Sequence, residues 1–243
     1  MYKEVTYKPF GEKAILIEWE PKIVPTILEE ILQFKAKIQS TDSFVIEDVV
    51  VGYHSLTVLF KQTIENYKQV VLELKKLHVS DVDIRKEKKT LWKIPVCYDT
   101  EFGIDLEEIS ITTKLSIAEI IRLHTESIYQ VYFIGFLPGF LYLGGLDSNI
   151  HIDRKATPRL NIAKGSVAIG GSQTGVYPMD SPGGWNIIGR TPISFFNTQY
   201  EEPCFAKSGD KIQFYSIHKQ EFIDIEKQLK GGSSKLLKTD FYD

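Results

Sequence analysis

The sequence predicts an α+β N-terminal domain, a two-layer unit of ββαββα order, followed by a mainly-β barrel domain. Three observations predict it. Up to about residue 80, strand-like runs alternate with helical apolar stripes; a charged run, RKEKKT at 85–90, then interrupts the pattern; from Tyr129 onward short apolar runs are divided by Gly and Pro. Strands and helices in alternation bury one sheet face under a helical layer. Many short strands with turn signals between them build a sandwich or barrel instead. The expected boundaries are 1–86 for the first domain, 91–218 for the barrel and 219–243 for a peripheral tail.

The elements follow in order. KEVTYKP and AILIEWE flank Phe10-Gly11 and predict a hairpin. Ile23, Ile27, Ile31, Phe34 and Ile38 place an apolar stripe on a helix over 22–39, with Pro25 tolerated in its first turn. SFVIEDVVV and SLTVLF are strands joined at Gly52-Tyr53-His54, and Val70, Val71, Leu74 and Leu77 mark a second helix over 64–77. After the strand LWKIPVCY, Asp105 with Glu108 and Ser116 with Glu119 have the spacing of capping boxes opening two short helices, the second over 117–127. IYQVYFIGF, GSVAIGG, TGVYPM, GWNIIG, PISFFN and DKIQFYS are the expected barrel strands. The tail is a polar amphipathic helix, a GGSS joint and KLLKTDFYD.

Composition narrows the function. With 243 residues, 43% of them hydrophobic and 25% charged, the chain can bury a core without staples. A net charge of −3 leaves no basic face for nucleic acid or anionic lipid, so a small molecule or a protein is the expected partner. The N-terminal residues lack the apolar core of a signal peptide. The uncharged run Val131–Leu146 falls short of the ~20 residues of a spanning helix and contains Pro138, so no membrane segment is expected. Cys97 and Cys204 stand apart with no metal-ligand spacing, and two reduced thiols and no metal site are expected.

The common catalytic loops are missing: no G-x-x-x-x-G-K-[ST], no G-x-G-x-x-G after a strand, no H-E-x-x-H and no G-x-S-x-G. Chemistry concentrates in 156–192, where glycines at 165, 170, 171, 175, 183, 184 and 189 let the backbone approach a ligand. Arg159 and Arg190 bring guanidinium forks suited to carboxylate or phosphate. Gln173, Tyr177 and Trp185 add an amide, a phenol and a flat apolar wall. Tight β-corners and surface ion pairs would use the same glycines and arginines. His124, on an apolar helix face, is either a core histidine or a general base. In GFLPGFLYLGGL, residues 135–146, Pro138 makes a poor strand centre, and a turn presenting Phe136, Phe140 and Tyr142 to a groove is expected.

GFLPGFLYLGGL, PRLNIAKGSVAIGGSQTGVYPMDSPGGWNIIGRTP and EPCFAKSGDKIQF, with IPVCYDTEFGIDLEEI and IIRLHTES upstream, resemble one family across about residues 1–217. It is the family of the 5-oxoprolinase B subunit, the sporulation kinase A inhibitor and allophanate hydrolase subunit 1. The resemblance implies a cyclophilin-like barrel and a cytoplasmic subunit of an ATP-dependent 5-oxoprolinase, inactive alone. Its partners would be a second carboxyltransferase-domain subunit and a third hydrolase subunit, and its cofactor ATP, with Mg in the assembled complex. Alternatives within the family are an inhibitor of a sensor histidine kinase and a urea or allophanate pathway component. For a lactam activated by phosphorylation of its carbonyl oxygen, Arg159, Arg190 and the glycine-rich backbone would stabilise charge. Tyr177 or Gln173 would orient the ring, and His124 would shuttle a proton. Phe136, Phe140, Tyr142, Gly183, Gly184 and Trp185 would line the substrate. Two departures stand out: Ala163-Lys164 before the GSV strand, a new cation for the groove rim or the surface, and the bulky Leu141, expected to narrow a pocket.

Overall fold

The structure, a computed structural model, describes residues 5–81, 88–230 and 237–241. Residues 85–87 of the expected linker and the GGSS joint lie outside them. The chain divides into two compact units, Met1–Glu87 and Lys88–Asp243.

In the first unit β1 (Thr6–Pro9), β2 (Ala14–Glu18), α1 (Pro25–Ser40), β3 (Ile46–Val51), β4 (Ser55–Phe60) and α2 (Tyr67–Val79) follow in that order. The strands form one antiparallel sheet, β1-β2-β4-β3. The apolar stripe explains α1: Ile27, Leu28, Ile31, Phe34 and Ile38 recur at helical spacing and all are buried. Pro25 opens that helix, where its missing N–H costs nothing. Asn66 caps α2 by accepting the Gln69 N–H at 3.1 Å.

The second unit is a closed barrel with helices on it. Its strands are β5 (Lys89–Cys97), β6 (Ile128–Ile134), β7 (Leu141–Gly144), β9 (Ser166–Gly170), β10 (Gln173–Val176), β12 (Asn186–Arg190) and β13 (Lys211–Ile217), with α3 (Leu106–Thr113) and α4 (Ile117–Glu126) inserted after β5. Seven strands run β12-β9-β10-β7-β6-β13-β5, and the pairing of Arg190 with Cys97 closes the ring. Closure covers the Cys97 end of β5, and its other end is covered by a strand of the tail. Ile94, Val131, Leu143, Val167, Ile169 and Phe214 fill the interior. A separate two-stranded antiparallel sheet pairs β8 (Arg159–Ile162) with β11 (Ser181–Gly183), which follows it in the chain after β9 and β10. The tail supplies α5 (Lys219–Lys230) and β14 (Leu237–Phe241), which pairs antiparallel with β5 from Leu237↔Lys93 to Phe241↔Lys89. Cys97 and Cys204 are free thiols.

Three local expectations meet different outcomes. The Ser116 box forms as expected: its hydroxyl accepts the Glu119 N–H, and the Glu119 side chain returns to the Ser116 N–H at 3.0 Å. The Asp105 box does not form, because no side-chain cap bond is made and the carboxylate is taken by partners far along the chain. PISFFN is not a strand either. Pro192 offers no ladder donor, and the Ile193 N–H goes to the Thr191 hydroxyl at 3.2 Å, a local side-chain bond in place of a ladder.

Candidate functional site

GFLPGF is the loop of the β6–β7 hairpin. The Phe140 N–H donates to the Leu137 carbonyl at 3.0 Å and the Gly135 N–H to the Phe140 carbonyl at 3.2 Å, closing it tightly. Gly139 has φ +82°, and a Cβ there would meet the Phe195 carbonyl oxygen at 2.8 Å, so glycine is required. Phe136 also sits in the left-handed region, at φ 65°, where a bulky residue is strained. Its ring is 62% exposed.

The two phenylalanines of this loop part company. Phe140 is 2% exposed, which corrects the expectation that all three rings face a groove. It lies 5.6 Å from Phe136, 5.0 Å from Tyr142, 5.6 Å from Tyr177 and 5.5 Å from Trp185, ring to ring. These are edge-on or tilted contacts of the stabilising kind. Glycines admit the rings: a Cβ on Gly170 would stand 2.6 Å from the Trp185 indole, and one on Gly183 would strike the Tyr177 hydroxyl. Tyr177, Trp185, Phe140 and Tyr142 therefore belong to one cluster, with Ile162 of β8 inside it and Gly183 against it. Gly184 lies beside it, its carbonyl accepting the Lys155 N–H at 2.7 Å.

Next to Trp185 an open cleft of about 420 Å³ is lined by Asp153, Arg154, Gly170, Gly171, Ser172 and Gln173. The Arg154 guanidinium lies 5.5 Å over the Trp185 ring. Burial raises the Tyr142 and Tyr177 phenols, and the nearby Arg154 charge opposes that rise at both. One cation thus faces an aromatic wall, with a hydroxyl and an amide on the same lining. Sequence reasoning missed Arg154 because the glycine-rich window begins two residues later. The signal was its place beside that window, in NIHIDRK.

The two expected arginines are each engaged by partners of this chain. Arg159 forms a two-pronged ion pair with Asp105, at 2.9 and 2.6 Å. Asp105 is 2% exposed and also accepts the Ile187 N–H at 2.7 Å and the Lys155 ammonium at 3.1 Å. Burial alone would raise this carboxyl, but hydrogen bonds from Arg159, Ile187 and Lys155 and the Arg159 charge outweigh it and hold it below the ordinary value. The Arg159 fork is engaged here by a carboxylate of its own chain. Arg190, at the barrel closure, donates Nε–H to the Lys164 carbonyl at 2.9 Å and lies 6.0 and 5.9 Å over the rings of Phe102 and Phe222.

His124 is in the core at 0% exposure. Thr174 spends its one proton on the Ala168 carbonyl at 3.0 Å, so it accepts from His124 Nε2–H at 2.9 Å. Nδ1 then accepts from the Tyr98 hydroxyl at 2.7 Å. Burial lowers its pKa to about 3, and the imidazole stacks on Phe214 at 4.7 Å. Neutral and bonded at both nitrogens, it is placed as a core residue and not as a shuttle facing substrate. Leu141 is buried in the barrel core rather than in a pocket, and the exposed Lys164 reaches the Ser194 hydroxyl at 3.2 Å.

Residues 5–206 match the family described as the carboxyltransferase domain, subdomain C and D. The chain is 38% identical over 212 residues to the 5-oxoprolinase B subunit of Haemophilus influenzae, covering 85% of this chain and 95% of that one. It is 33% identical to the 5-oxoprolinase B subunit of Escherichia coli O157:H7, covering 84% and 92%. Among solved structures it superposes on TTHA0988 with a TM-score of 0.72 and 27% identity, covering 85% of this chain but spanning only 40% of that one. The urea amidolyase of K. lactis gives a TM-score of 0.81 over 98% of this chain at 20% identity, a likeness of fold. This chain belongs to the carboxyltransferase subdomain C and D family, the one that includes the B subunits of 5-oxoprolinase.

Replacing Phe136 by glycine is expected to leave the melting temperature within a few degrees of the parent. Relief of left-handed strain, about 1–2 kcal/mol, offsets the lost edge contact with Phe140. A melt depressed as far as a buried-ring truncation would show that the ring serves packing.

Proposed function

We propose that this chain is the B-type subunit of an ATP-dependent 5-oxoprolinase, acting in the hydrolysis of 5-oxoproline to glutamate with sister subunits. The observation that carries the reading is 38% identity across 95% of the H. influenzae B subunit. The cleft supports it physically: its lining offers a guanidinium, a hydroxyl and an amide, polar groups that complement a small ring bearing a carboxylate and an amide. ATP itself does not fit there. A triphosphate would face Asp153, and Arg154 is the one cation among the described lining residues. We assign nucleotide and its Mg to a sister subunit, so the chain alone would be inactive. Its own part is to bind and orient the substrate while the Asp105 ion pair holds the cleft wall.

The same reading takes residues 1–86 as a two-layer α+β domain, 91–218 as a cyclophilin-like barrel and the rest as a tail, in a complex with two other kinds of subunit. Among the described residues no helix is long and apolar enough to cross a membrane. We place the complex in the cytoplasm. The test is reconstitution: the purified chain, mixed with its sister subunits, is expected to give glutamate from 5-oxoproline only in the presence of ATP, and none by itself. A well-folded complex that makes no glutamate would overturn the reading in favour of a regulatory protein.

A further inference from the structure

Arg154 is held by its neighbours and left open at its own tip. The Ile152 N–H donates to the Gly171 carbonyl at 3.3 Å, and the Gly171 N–H returns to the Ile152 carbonyl at 2.7 Å. The Asn186 amide donates to the Asp153 carbonyl at 2.8 Å. The Lys155 N–H donates to the Gly184 carbonyl at 2.7 Å, and its ammonium joins Asp105 at 3.1 Å. The residues on both sides of Arg154 are thus fixed, to β9, to β12 and to the buried Asp105. Arg154 itself is exposed and has no carboxylate partner among the described residues; its guanidinium rests over the Trp185 face at 5.5 Å. An arginine stacked on an indole engages its face and leaves its edge N–H donors free. Those donors match a carboxylate in two-pronged geometry.

We infer that Arg154 is the carboxylate-binding residue of the cleft, reading the acid group of a small ring monocarboxylate. Its acid group meets Arg154, and Ser172 and Gln173 of the same lining are available to its amide. Two details favour a small acid over a larger anion. The cleft is about 420 Å³ and open, and its second charged lining residue, Asp153, repels additional negative charge. The stacked pose also limits how far the guanidinium swings, which lowers the entropy lost on binding. The inference rests on the 5-oxoprolinase reading for the identity of the acid.

The experiment uses the reconstituted complex, with 5-oxoproline as the varied substrate, and the variants Arg154→Gln and Arg154→Lys. A charged hydrogen-bonded contact made equally in ground and transition states appears in KM. Arg154→Gln is expected to raise KM for 5-oxoproline by between about 10- and 150-fold, with kcat within about twofold. Arg154→Lys should fall between, since it keeps the charge and loses the fork. Both variants should melt as the parent does and elute with the sister subunits as the intact complex. An unchanged KM in an active complex overturns the inference and leaves the 5-oxoprolinase reading standing. Loss of the complex on gel filtration overturns it by showing an interface residue. An inactive parent complex overturns both.

Discussion

Asp105→Ala is expected to lower the stability of the barrel unit by about 3 to 5 kcal/mol, the cost of removing one partner of a buried ion pair. The carboxylate is 2% exposed and satisfies three donors on three segments: the Arg159 fork, the Lys155 ammonium and the Ile187 N–H. The variant leaves the Ile187 N–H without an acceptor in a buried place, and that penalty is not recovered by solvent. Arg159, with 30% of its side chain exposed, can partly rehydrate, which favours the lower end of the range. For a unit of this size a loss of 3 kcal/mol corresponds to roughly 6 to 12 °C in melting temperature. The companion variant Arg159→Ala should cost less, and the double variant much less than the sum, because both singles break one interaction. Additive effects in that cycle, measured by urea denaturation, would refute the ion pair as an anchor. If Arg159 instead bound substrate, its alanine variant would lose turnover and melt like the parent.

That anchor shows where the sequence was informative. The stripe of Ile27, Ile31, Phe34 and Ile38 has a period that only a helix satisfies, and Ser116 with Glu119 is a local signature with local partners. Asp105 with Glu108 has the same spacing, yet the carboxylate finds Arg159 and Ile187, 54 and 82 residues away, and a contact at that separation leaves no pattern in a short window. The aromatic cluster beside the cleft was legible as residue types: Tyr177, Trp185, Phe140 and Tyr142 do gather. Their exposure was not. Phe136 and Phe140 stand in the same motif, and the left-handed backbone at Phe136 sends one ring outward while the other is enclosed. Side-chain chemistry alone singles out Arg159 and Arg190, and it cannot tell a fork already paired with a carboxylate, as Arg159 is, from one that is free. Arg154, which has no carboxylate partner among the described residues, is revealed only by its place over the Trp185 ring beside the cleft.

The second large effect is expected from acid. Below neutral pH the barrel unit should lose stability by a factor of about ten in the folded-to-unfolded ratio for each pH unit, beginning near pH 6.5, through His124 alone. The sign follows from the direction of the shift. In the unfolded chain the imidazole takes a proton near its ordinary value of 6.5, whereas in the folded core it stays neutral down to about 3. Between those limits the unfolded state binds the extra proton, so stability is full above pH 6.5 and falls as pH is lowered. By pH 5 the loss is about 2 kcal/mol. The cause is burial, and the hydrogen bonds are consistent with it. Nδ1 already accepts from Tyr98, and Nε2–H donates to a Thr174 hydroxyl whose own proton is committed to Ala168. Protonating Nδ1 would force the Tyr98 hydroxyl to turn and would put a charge against Phe214. Asp105 adds a dependence of the same sign only below the ordinary carboxylate range, since its shift is downward, so the window from pH 6.5 to 5 is free of it. His78 in the other unit is also shifted down by burial and adds to the parent slope in that window. The comparison that isolates His124 is therefore with His124→Gln. This variant should be less stable than the parent at pH 7.5 and should show a smaller slope of urea midpoint between pH 6.5 and 5. Equal slopes in parent and variant, or an imidazole resonance of His124 that titrates near pH 6.5 in the folded protein, would show that the ring is accessible to protons and restore it as a candidate for proton transfer.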